Sequence, residues 1–93
     1  MNPFDEMATK IVKEQELIIG PLAWQEASKV PGLRIEPSHA SIAVSEGNGT
    51  TIDKLVGQYE HLFGRASREV CREAVASILK GLPAAQIPSS LAA

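Results

Sequence analysis

Cysteine occurs once in this chain of 93 residues, at Cys71, so no internal disulfide can form and a reducing setting, the cytoplasm, is expected. Aromatic residues are 4% of the chain, two Phe, one Tyr and one Trp. That argues against a base-stacking platform or an aromatic ligand cage. No apolar run approaches the ~20 residues needed to span a bilayer, so no membrane partner is expected. The first residues, Met1-Asn2-Pro3-Phe4-Asp5-Glu6, are acidic and lack the apolar core of a signal peptide. Neither sign of charge dominates. Nine Lys and Arg face eleven Asp and Glu, a net charge of -2, which sets up no field to recruit nucleic acid or an anionic surface. The chain has no C-x-x-C or H-E-x-x-H spacing, Ser/His/Asp set or paired catalytic acids. No metal, cofactor or catalytic residue is expected, and the chain reads as a non-enzyme.

What is present is an internal echo. Glu16-Leu17-Ile18-Ile19-Gly20-Pro21-Leu22-Ala23 aligns with Glu60-His61-Leu62-Phe63-Gly64-Arg65-Ala66-Ser67. Each copy has an acid, large apolar residues, a glycine, a free position and two small or apolar residues. A helical apolar pattern runs up to each glycine and another starts after it, which predicts two helix–Gly–helix corners.

The remaining pattern fills in around them. Asn2 suits an N-cap with Pro3 at the first helical position. Phe4, Ala8, Ile11, Val12, Gln15, Ile18 and Ile19 keep helical spacing up to Gly20. A short second helix starts at Pro21 and stops at Pro31-Gly32. Leu33 and Ile35, then Ala40, Ile42 and Val44, alternate with more polar neighbours around Pro37-Ser38, a small hairpin. Ser45 to Gly49 reads as a loop, and Thr50 with Asp53 has capping-box spacing. A third helix carries Ile52, Leu55, Val56, Tyr59, Leu62 and Phe63 on one face. A fourth runs from Ala66 to Lys80, with Gly81 and Pro83 as its stop. The expected fold is mainly α with a short β-hairpin (α+β): four helices in two corners, order α-α-β-β-α-α. Residues 1–82 form one small helical domain and 83–93 a flexible tail. A chain this short buries only ~60–65% of its unfolded surface, which favours a homodimer.

Each candidate site has a plain structural alternative. Cys71 lies among apolar positions and reads as core. His39 and His61 read as surface residues. Arg65, Arg68 and Arg72, with His61, would form a basic stripe able to meet phosphate, but Glu69 and Glu73 share that face and suggest ordinary ion pairs. The Gly47-x-Gly49 pair lacks the setting of a phosphate loop. Trp24 and Tyr59, if exposed, are the best anchors for a protein contact, since aromatics dominate interface hot spots.

Gly20-Pro21-Leu22-Ala23, preceded by Ile18-Ile19, resembles the G-P-[IL]-A helix corner of small helical domains in bacterial signalling proteins, some fused to kinases. The second copy departs from it at Arg65 and Ser67. The match covers about eight residues per copy. It implies a signalling or scaffolding domain working through protein contacts, and it carries no catalytic residue. The leading expectation is therefore a cytoplasmic adaptor or regulatory subunit that binds another protein. The alternatives are a small nucleic-acid regulator using Arg65, Arg68 and Arg72, and a small-ligand sensor or enzyme without a recognisable motif.

Overall fold

A computed structural model describes residues 3–36, 38, 41–44 and 49–91. Helix α1 spans Pro3–Ile19 and α2 Leu22–Ala27; strands β1 (Leu33–Ile35) and β2 (Ile42–Val44) follow; α3 is Gly49–Phe63, α4 Ala66–Ala74 and α5 Ala76–Leu79. The architecture is mainly helical with an antiparallel hairpin, in the expected order. Asn2, Pro37, His39, Ala40 and Gly47 lie outside the described residues.

The apolar faces read from the sequence form the core. Met7, Ala8, Ile11 and Val12 of α1 meet Ala23, Trp24 and Ala27 of α2 and Ile52, Leu55, Val56 and Tyr59 of α3, with Cys71 and Val75 closing the cluster. The hairpin pairs Leu33 with Val44 and Ile35 with Ile42. Ile42 and Val44 point inward. Two strands are marginal alone, and here α1 braces them. The Ile42 N–H donates to Thr9 Oγ1 at 2.9 Å, and the Val44 N–H donates to Asp5 Oδ1 at 2.6 Å. The outer edge of β2 is thus taken by α1 side chains.

Two expectations need correction. The fourth helix is not continuous to Lys80. It breaks at Val75 (φ -113, ψ 9), giving five helices in all among the described residues. Val75 is fully buried, and the change of direction lets Ile78, Leu79 and Leu82 pack against the core. The tail is not loose either. Residues Ala84–Gln86 and Ser89–Leu91 form single 3₁₀ turns. Pro88 and Leu91 are buried. Asp53 helps hold this segment, because Ser89 Oγ donates to its Oδ2 at 3.1 Å and the Ser90 N–H to its Oδ1 at 2.9 Å. A Cβ on Gly49 would come within 3.3 Å of the Pro88 Cα, so the first residue of α3 leaves room for the returning chain.

Candidate functional site: the paired helix corners

The two corners are the same device at backbone level. Gly20 (φ 71) and Gly64 (φ 90) both take the left-handed conformation that side chains with a Cβ avoid. Each ends its helix by donating its N–H to the carbonyl four residues back, Gly20 to Glu16 and Gly64 to Glu60, both at 2.8 Å. Each then accepts from the residue three ahead, from Ala23 at 3.0 Å and Ser67 at 3.1 Å.

The corners also grip one another. Gln15 Nε2 donates to the Ser67 carbonyl at 3.4 Å, and Tyr59 Oη donates to the Ala23 carbonyl at 2.6 Å. Gly20 and Gly64 lie 44 positions apart, and the same shift relates Gln15 to Tyr59 and Ala23 to Ser67. The two hydrogen bonds are therefore equivalents under the 44-residue shift: each corner gives one donor to the other and takes one back. Burial follows the same relation. Ala8, Ile11, Val12, Ala23 and Ala27 are buried, and so are Ile52, Leu55, Val56, Ser67 and Cys71.

This arrangement places Trp24 and Tyr59 inside. Trp24 is 3% exposed and Tyr59 fully buried, so neither is available as a surface anchor. Tyr59 is committed to the corner-to-corner bond, and burial raises its phenol far above the usual value. Cys71 is core, as expected. Burial pushes its thiol up to about 11, against the opposing donation of Gln15 Nε2 at 3.6 Å.

The side chains left exposed are informative instead. Leu17 is 81% and Ile18 61% exposed, and Leu22, Leu62 and Phe63 are also open to solvent. All five flank the two corner glycines. Their helical spacing placed Ile18, Leu62 and Phe63 on apolar faces, but those faces run past the end of the core.

Arg65, Arg68 and Arg72 do come together, lining an open depression with Glu60, Ala66 and Glu69. Arg68 pairs with Glu60 at 2.9 Å and Arg72 with Glu69 at 3.4 Å. Two of the three cations are thus matched locally, and Arg65 makes no ion pair among the described residues. His61 is exposed. Among the described residues no three His, Cys, Asp or Glu side chains gather as a metal site, and no helix is long and apolar enough to cross a membrane.

No protein-family model, curated protein or solved structure matches the chain.

One acid is buried with no signal in the sequence to mark it: only 6% of Glu26 is exposed. Gln58 Nε2 donates to its Oε1 at 2.8 Å and Lys29 Nζ to its Oε2 at 3.0 Å. These hydrogen bonds, that of Gln58 first, hold the carboxyl below its usual range against the effect of burial. The network ties α2 and the turn after it to α3. The Glu26–Lys29 spacing was visible in the sequence, but Gln58 arrives from another helix and only the fold brings it there.

Proposed function

We propose that this chain is a non-enzymatic adaptor or regulatory subunit of the cytoplasm that works by binding another protein through its paired corners. The observation that carries this reading is that Leu17, Ile18, Leu22, Leu62 and Phe63 are all exposed and all lie within three positions of Gly20 or Gly64 in the chain. Exposed apolar side chains scattered singly need no explanation, but a concentration of them marks a contact surface. The surface rests on a cross-bonded frame, so little order has to be created on binding. The signalling setting implied by the Gly20–Ala23 corner fits the same reading. Pairing of two copies, expected from the small size of the chain, belongs to it and is read from the solution mass.

The test is capture from a nuclease-treated lysate of the source, comparing the native chain with a Leu17→Asp/Leu22→Asp variant whose fold is checked by circular dichroism. A stoichiometric protein partner, held by the native chain and lost by the variant, is the expected result. A partner retained by the variant removes these two positions from the contact. Partners that vanish with nuclease favour the second reading, a nucleic-acid regulator using Arg65, Arg68 and Arg72. That reading predicts binding that weakens steeply with salt and is lost on Arg68→Glu.

A further inference from the structure

The 44-residue shift that relates the corners makes two seams between helices comparable position by position. The first is the seam of α3 with α2 and the turn after it, at Leu62, Gln58, Glu26, Lys29 and Val30. The other lies between α1 and α4 and is lined by Ile18, Glu14, Val70, Glu73 and Ala74. These are the same five positions shifted by 44 residues. At the first seam, an amide, an acid and a cation lock together through the Gln58–Glu26–Lys29 hydrogen bonds. In the second, the residues at those positions are Glu14, Val70 and Glu73. Nothing there can bridge. Two exposed acids stand over an apolar floor of Ile18, Val70 and Ala74, and neither acid has an ion pair among the described residues. Ile18, 61% exposed, gives the floor an unusually large open apolar side chain.

We infer that the α1/α4 groove is the docking site for a cationic amphipathic helix of another protein. An apolar side chain of that helix fills the space over Ile18, Val70 and Ala74, and its Lys or Arg neighbours meet Glu14 and Glu73. This rests on the corner reading above and names the partner's chemistry for one part of that surface. Charge complementarity selects the occupant. An acidic helix would be repelled by both rims, and a neutral apolar one would leave two carboxylates facing a dry contact without partners. A helix laid in a groove between two helices satisfies its own backbone and presents apolar anchors at helical spacing.

The test uses two synthetic amphipathic helical probes with Leu at i, i+3, i+4 and i+7 spacing, the other positions Lys in one (Leu/Lys) and Glu in the other (Leu/Glu), titrated into the isotopically labelled full chain and followed by amide chemical shifts. The Leu/Lys probe is expected to shift residues around Ile18, Val70 and Ala74, and the Leu/Glu probe to leave them unmoved. Making this groove resemble its twin, with Glu14→Gln, Val70→Glu and Glu73→Lys, should weaken Leu/Lys binding by about tenfold or more. A second variant, Glu14→Gln/Glu73→Gln, leaves the apolar floor untouched and should weaken binding in the same direction. Native-strength binding by that second variant, or shifts spread over the whole acidic surface, would overturn the proposal. So would groove shifts that move with protein concentration alone, which would assign the groove to a second copy of this chain. Failure of the Leu/Lys probe, alongside a lysate partner that depends on Leu17 and Leu22, would sink this inference and leave the proposed function standing.

Discussion

At the scale of the residue, Gly20 and Gly64 show how a single backbone angle organises the chain. A Cβ at either position would meet nothing within 4 Å, so space is not the reason for glycine. The reason is φ, at 71 and 90. Replacing either by Ala should cost about 1–2 kcal/mol of stability, with Asn better tolerated than Ala. Gly57 is the control. It lies exposed inside α3 with open space around it, and Gly57→Ala should stabilise by about 0.5–1 kcal/mol. Urea midpoints for the three alanine variants test both signs at once, and a Gly64→Ala chain as stable as the native one would remove the backbone argument. The glycine corners were legible in the sequence because helical apolar patterns ran into each glycine and resumed beyond it. The fate of the aromatics was not. Spacing put Tyr59 on the apolar face of its helix, but the carbonyl of Ala23 that satisfies its hydroxyl comes from a distant part of the chain. Without that partner in view, an amphipathic aromatic fits a surface as well as a core.

At the scale of the element, the long helices, the short second helix and the hairpin followed their periodicity, and the C-terminal turns did not announce themselves. α1 and α3 carry enough apolar turns for the pattern to dominate. The segment after Pro83 has only scattered apolar residues, and its anchors, Pro88 and Leu91, are buried on surfaces supplied by other elements. Composition alone therefore reads it as loose. The break at Val75 is hidden for a related reason. Val70, Ala74 and Ile78 keep helical spacing on both sides of it, so periodicity carries no mark of where α4 ends. Leu91 is 1% exposed, and Leu91→Ala should destabilise the whole chain by about 2–4 kcal/mol. A thermal unfolding midpoint unchanged by that substitution would show that the C-terminal turn is not part of the cooperative unit. The groove argued as a docking site was beyond sequence reading altogether. Glu14 and Glu73 lie on different helices, and only the relation between the corners exposes what is missing between them.

At the scale of the whole molecule, the chain is two helix–Gly–helix units clasped around a shared core, with the hairpin bracing α1 and the C-terminal turn bracing α3. Each unit supplies a hydrogen bond to the other, so neither corner satisfies its buried polar groups alone. Unpaired buried groups cost about 1–3 kcal/mol each, which couples the halves. Cys71 sits at this junction, with Gln15 of the opposite unit donating to its sulfur. Its thiol is buried and pushed up to about 11, so in the closed protein it is both unreachable and unionised at neutral pH. That turns the one cysteine into a natural clock. Alkylation can proceed only during openings that part α4 from α1, and its rate counts them. If the units separate only when the protein unfolds, the free energy obtained from labelling should equal that from denaturant titration. A markedly smaller value would mean that the second corner swings away while the first remains folded, and that the clasp is a hinge.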